Sequence, residues 1–197
     1  MSRMGYTALM SQALSAPPYL VAFVFVLLTA YLSDWYRSRS VFVCISALMG
    51  ASGYLIIAIA GKRKMSAGWR YAGVYPAAAG FFSAVTLLIT WTLNNQESDS
   101  KKGTGLAVLN IIGQFGPLLG TKLYPDSDKP YYVRGMSVCA GFMLSVFFLA
   151  LVLRGILTRE NSKSLDAYSL AASRDDEERL VDKEVVGARP RRFTYMT

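Results

Sequence analysis

The stretch FMLSVFFLALVL (142–153) runs through three helical turns with a single hydroxyl, Ser145, and no charge. FVFVLLTAYL (23–32) reads the same way. A helix on the surface of a soluble bundle carries a polar stripe that recurs every 3.6 residues, and these two carry almost none. Each lies inside a longer segment without any Lys, Arg, Asp or Glu, Gly135–Leu153 and Ala16–Ser33. Three more such segments follow the same pattern: Ser40–Gly61, Tyr71–Gln96 and Gly103–Thr121. A bilayer core about 30 Å thick needs about 20 apolar residues in helical form. Within hydrocarbon the backbone must satisfy its own hydrogen bonds, which selects helix. The sequence predicts an all-α integral membrane protein with five transmembrane helices, at about 16–34, 40–61, 70–95, 103–122 and 134–157.

The punctuation agrees with those bounds. Pro17 and Pro18 stand at the start of the first span, where missing N–H groups cost least. Ser33-Asp34 closes it. Lys62-Arg63-Lys64 closes the second span, Asn94-Asn95 the third, Tyr124-Pro125-Asp126 the fourth and Arg154 the fifth. Trp35, Trp69 and Trp91 fall near span ends, where aromatic belts form. Residues 1–15 read as a segment outside the membrane domain of 16–157. From Thr158 onward eight Lys/Arg face eight Asp/Glu with few large apolar groups. Such a segment buries too little to fold alone, so 158–197 is expected to be a largely disordered charged tail, with a short helix through Arg174–Val185.

The net charge of +8, from 21 Lys+Arg against 13 Asp+Glu, would suit a nucleic-acid binder in a polar chain. Here 53% of residues are hydrophobic. The whole excess lies in short loops at span ends, so the partner expected is the lipid bilayer and not nucleic acid. There is no His, which removes the commonest general base and metal ligand. Cys44 and Cys139 lie far apart in apolar runs and read as small buried hydrophobes. No phosphate loop, nucleophile–base pair or metal constellation is present in the sequence. No enzyme activity, cofactor or metal is expected.

Polar residues inside the spans are either helix glue or function. Asn110 and Gln114 lie four apart on the fourth span and share a helix face. They are candidates for lining a substrate path, or equally for bonding a neighbouring helix. Thr86 and Thr90 on the third span also recur at helical spacing, and there packing is the stronger reading. Gly116-x-x-x-Gly120, with Gly113, would let a second helix approach closely. Pro117 lacks a donor and should kink that helix. Gly50 and Gly53 read as packing alone. No Asp or Glu lies in any of the five charge-free segments, so a proton-coupling carboxylate is not expected there. Positive charges divide seven to eight between the two sides, so they do not orient the chain.

Asp34-Trp35-Tyr36-Arg37-Ser38-Arg39, between the first two spans, resembles the short-loop signature of major facilitator superfamily transporters, with Trp35 where the pattern has Arg. Asp34, Arg37 and Arg39 could pair across the turn and latch one face shut. Further motifs resemble the anion:cation symporter family, the allantoate- and nicotinate-permease type. They are Ala16-Pro17-Pro18-Tyr19, Trp91-Thr92-Leu93-Asn94-Asn95, Gly113-Gln114-Phe115-Gly116-Pro117, Asp128-Lys129-Pro130-Tyr131-Tyr132 and Arg159-Glu160-Asn161. The resemblance implies an incomplete C-terminal six-helix bundle, helices eight to twelve plus tail, of a truncated proton-coupled symporter of small organic anions. It implies a plasma-membrane location with the tail cytoplasmic. It also implies that this chain alone does not transport, and leaves room for a partner that would supply the missing N-terminal half. The alternative is a non-transporting membrane protein that associates with a transporter half or another membrane partner.

Overall fold

A computed structural model describes residues 8–96, 98–125, 128 and 131–181. The elements among them are helices: α1 (Ala8–Trp35), α2 (Arg39–Lys62), α3 (Ala67–Asn94), α4 (Asp99–Gly113), α5 (Phe115–Leu123) and α6 (Val133–Val181). Five stretches are long and apolar enough to cross a membrane, with α4 and α5 together making the fourth. The chain is therefore an integral membrane protein with the expected five spans.

Three boundaries differ from expectation. α1 starts by Ala8 and runs through Pro17 and Pro18, so residues 8–15 belong to the first helix. Pro18 has no N–H for the Leu14 carbonyl four residues back. That carbonyl instead accepts the Tyr71 hydroxyl of α3 at 3.0 Å, and Tyr71 is itself held by the Tyr75 hydroxyl at 3.0 Å. A tertiary contact thus supplies the donor that the proline withholds. The fourth span breaks at Gln114, between α4 and α5. Pro117 can give nothing to the Gly113 carbonyl, and its ring crowds that oxygen, so the helix parts one turn earlier. The fifth helix does not end near residue 157. It continues through the charged segment to Val181, and its side chains from 158 to 170 are almost all exposed. No Gly or Pro interrupts residues 156–181, and Arg, Glu, Lys, Ala and Leu favour helix. The expected disorder from 158 is not what the described residues show; residues 182–197, including the end of the proposed 174–185 helix, lie outside them.

α2 and α3 form the centre, and they meet on their smallest residues. A Cβ built on Gly80 would lie 2.2 Å from the Gly50 nitrogen, and one on Gly53 would lie 2.2 Å from the Ala77 nitrogen. Gly73 faces Ile57 in the same seam. The packing role expected of Gly50 and Gly53 is what the structure shows. Small residues let two backbones approach where lipid offers no hydrophobic drive for association. α6 packs on the other side of α2, where Val43, Cys44, Leu87, Trp91 and Ala150 form one cluster and Ala47, Ala51, Ala84 and Met143 another. α1 lies chiefly against α3 and little against its sequence neighbour α2. Trp91 is only 1% exposed and belongs to the core, whereas Trp35 and Trp69 face outward as a belt would.

The seam expected at Gly116 and Gly120 is open. Apart from its own helix backbone, no atom of the described residues lies within 4 Å of a Cβ placed on Gly113, Gly116 or Gly120. The stretch that supplies Pro117 thus breaks the helix but, among the described residues, brings no second helix close. No described residue of α4 or α5 is buried.

Candidate functional site

The tightest polar arrangement lies where α1 gives way to α2. Tyr36 N–H reaches back to Leu32 O at 2.9 Å and Arg37 N–H to Asp34 O at 3.3 Å. Arg37 takes the left-handed backbone, φ 51°, to reverse the chain. That turn points the Arg37 side chain outward. Arg39 then opens α2 with its guanidinium buried to 9% side-chain exposure. A cation at a helix N-terminus opposes the positive end of the macrodipole, so it needs acceptors. Asp34 Oδ1 accepts from Arg39 Nη2 in a charge-assisted bond. The second acceptor comes from the end of α3. With its amide oxygen turned to the guanidinium, the orientation that satisfies both side chains, Asn94 accepts from Arg39 Nε at 2.7 Å and from Nη2 at 3.1 Å.

Arg39 is therefore clamped between a carboxylate five residues before it and an amide 55 residues after it. Trp91, one turn before Asn94, fixes the end of α3 by filling the core against Val43 of α2. The cluster ties three helix ends together: α1 through Asp34, α2 through Arg39 and α3 through Asn94. Of the three residues expected in a latch, Asp34 and Arg39 meet, and Arg37 serves the turn. In the sequence Asn94 stands out only as a span end and as part of a motif. Its signal was weak because an amide at a helix end ordinarily reads as a cap.

The four candidate path residues do not form one hydrogen-bonded group among the described contacts. Asn110 Nδ2 donates to its own helix at Leu106 O, 3.0 Å away. Thr86 and Thr90 back-bond to Phe82 O at 2.9 Å and Thr86 O at 2.8 Å. Gln114 is exposed at the break between α4 and α5. At about 100° per residue, Asn110 and Gln114 lie roughly opposite the face of α4 that carries Lys101, Thr104, Gly105 and Val108 toward α3.

At the far end of the bundle, α2 closes with Lys64 N–H on Gly61 O at 3.2 Å and Met65 N–H on Ala60 O at 2.9 Å, a Schellman-type stop. Gly61 there leaves room for Tyr131 and Val133, and Arg70 stands over the Tyr131 ring at 5.0 Å. Tyr124, just past α5, lies 3.2 Å from the Cys139 sulfur of α6. Burial first, and that contact second, push the Tyr124 phenol well above its usual pKa. Cys139 is thus half-buried and engaged, while Cys44 is the buried hydrophobe expected. Among the described residues no group of three or more His, Cys, Asp or Glu could hold a metal.

Fold and site together define a polytopic helical membrane protein whose α1, α2 and α3 ends are cross-tied through one buried arginine. The chain is 31% identical over 153 residues to the MFS transporter prlL of Fungal sp. (strain NRRL 50135), a match covering 77% of this chain and 30% of that protein. It is 25% identical over 171 residues to the MFS-type transporter cnsO of Penicillium expansum, covering 86% of this chain and 33% of that one. It is 26% identical over 160 residues to the high-affinity nicotinic acid transporter of Saccharomyces cerevisiae, covering 81% and 29%. These similarities support membership of the major facilitator superfamily of transporters. The chain spans about a third of the length of these curated relatives. No protein-family model matches it, and no solved structure matches it.

Proposed function

We propose that this chain forms the C-terminal part of a secondary transporter for small organic anions of the carboxylate, vitamin or ureide type, moved together with protons. The observation that carries the reading is the clamp on Arg39. It joins the short loop after α1 to the end of α3, so these helix ends must move together or part together. That is the behaviour expected of a latch on one face of a rocking bundle. In this reading the latch and the tail face the cytoplasm, the membrane is the plasma membrane, and Asn110, Gln114, Thr86 and Thr90 contribute to one wall of the path. In this reading the proton site and the other wall belong to helices beyond these five. A relative named as a nicotinic acid transporter makes labelled nicotinate the first substrate to try.

A second reading is favoured by one observation, that none of the described residues of α4 and α5 is buried. In it the chain is a membrane protein that associates with a transporter half without transporting. The test is nicotinate uptake in cells that lack their own carrier. One set expresses the 197 residues alone, and another expresses them with the N-terminal helices of a nicotinate-transporting relative. Transport only in the second set, lowered by Asn110→Leu and Gln114→Leu, supports the proposal. Uptake by the 197 residues alone overturns the one-wall reading. Co-purification without uptake of any carboxylate favours the second reading.

A further inference from the structure

Two sulfur atoms and a phenol converge where α5 ends beside the start of α6. The Tyr124 hydroxyl lies 3.2 Å from Cys139 Sγ and 4.0 Å from Met136 Sδ. Met136 and Cys139 are three residues apart on α6, a spacing that puts side chains on one helix face. Their common oxygen neighbour shows that both sulfurs turn the same way. Gly135 permits the approach. A Cβ there would stand 2.7 Å from Tyr124 Cε1 and 2.8 Å from Leu123 O, so a larger residue would push the Tyr124 ring off α6. Tyr132 steadies that ring edge-on, with centroids 5.8 Å apart. Met136 and Cys139 are half-buried and not sealed, and Cys139 is a free thiol. Cys139 stands six residues into α6 from Val133, about 9 Å along its axis, so the pair is close to the span end.

We propose that Met136 and Cys139 bind a copper(I) ion, with the Tyr124 phenol donating to the thiolate. Thiolate and thioether are soft ligands, and softness selects copper(I) over the harder divalent ions. Charge argues the same way. One thiolate neutralises a monovalent ion, whereas a divalent ion would keep a net charge inside a span, where charge is costly. Two metal–sulfur bonds of about 2.3 Å need the sulfurs within about 4.6 Å of each other, and the unbranched, flexible methionine side chain has that reach. Entry of the metal displaces the thiol proton to solvent, and copper keeps its single positive charge, so no electron moves. In the free thiol either Tyr124 or Cys139 could donate across their contact. Once the sulfur is a thiolate only the phenol can, and the bond becomes charge-assisted. Such an outer partner holds the ligand in place. The inference does not depend on the transport reading, since it concerns only the end of α5 and the start of α6.

The full chain, in mild detergent and free of oxygen, is offered copper(I) as its bicinchoninate complex, and the metal it withdraws is read from the loss of colour. One copper(I) per chain should be withdrawn, with a proton released. Cys139→Ser should abolish both. Met136→Leu, which preserves volume, should weaken binding by about 10-fold, as should Tyr124→Phe. Cys44→Ser, which removes the other thiol, should change nothing, and excess zinc(II) should not compete. X-ray absorption of the copper-loaded, unmodified chain should show two sulfur neighbours. A parent chain that withdraws no copper overturns the proposal. So does a Met136→Leu chain that binds as the parent does, because a single thiol would then be the ligand. An equal loss with Cys44→Ser, or displacement by zinc(II), overturns it as well. A metal with one sulfur neighbour does so whatever the variants show.

Discussion

Replacing Gly80 by Ala puts a methyl group into the tightest point of the molecule. Its Cβ would lie 2.2 Å from Gly50 N, 2.6 Å from Gly50 Cα and 2.6 Å from Ser46 O. All three are backbone atoms, so no rotamer change relieves the clash. Relaxed carbon contacts lie near 3.5–4.0 Å, and α2 and α3 must therefore separate by about 1 Å or more at this crossing. A gap of that size forfeits about a quarter to a half of the dispersion well for each contact along the seam. Overpacking of this kind costs about 1–3 kcal/mol, and the upper end applies because the neighbour cannot yield. Alanine recovers about 1 kcal/mol of helix propensity, which leaves a net loss of about 2 kcal/mol. For a chain of this length that lowers the unfolding midpoint by about 4–8 °C. Gly116→Ala is the paired control. Nothing lies within 4 Å of its new methyl, so it should gain up to about 1 kcal/mol from propensity alone. Both variants and the parent would be unfolded in mild detergent by heat or by added dodecyl sulfate, with the buried Trp91 as fluorescent reporter. A Gly80→Ala chain as stable as the parent, or a Gly116→Ala chain that falls as far, would refute the assignment of the central seam.

Two further outcomes follow from single contacts. Asn94→Leu removes one acceptor of Arg39, and a hydrogen bond to a charged group is worth about 1.5–3 kcal/mol; Asn94 sits at a helix end and Asp34 is largely exposed, so the loss should lie at the low end. Asn94→Asp should restore or exceed the parent midpoint, and a melting comparison in which it behaves like the leucine variant would remove Asn94 from the cluster. Tyr124 keeps its proton more tightly when folded than when unfolded, so its contribution is complete below the ordinary tyrosine value of about 10. It declines as pH rises from there through the raised folded value. The unfolding midpoint of the parent should therefore fall relative to that of Tyr124→Phe as pH rises from about 8 to about 11, and parallel curves would show that the phenol is not so held.

The spans were legible because charge segregation is a local, one-dimensional property read against a bilayer of known thickness. Asp34 and Arg39 were legible because five residues of a tight turn hold them together. Asn94 was not, since its partner is distant in sequence and an amide beside a helix end has a nearer use. The glycines divide the same way. Gly50 and Gly53 read as packing residues, and the structure supplies their partners. Gly116-x-x-x-Gly120 carries the more recognisable pattern, and none of the described helices meets it. Trp91 shows the limit of position alone: three tryptophans stand near span ends, and one of them is core. The helical run past residue 158 follows from propensity, which the composition of the tail obscured.

By itself the sequence determined the class of the protein, the number of spans and the break that Pro117 imposes, because each depends on residues within a few turns of one another. The tertiary structure alone decided the rest. It placed α3 between α1 and α2, chose which small-residue faces touch, lent Leu14 the hydroxyl that Pro18 denies it, and brought Asn94 to Arg39. The physical reason is that lipid tails are as apolar as leucine. Hydrophobicity sends each helix into the membrane but does not rank its neighbours, and the ranking comes from how closely two particular surfaces fit.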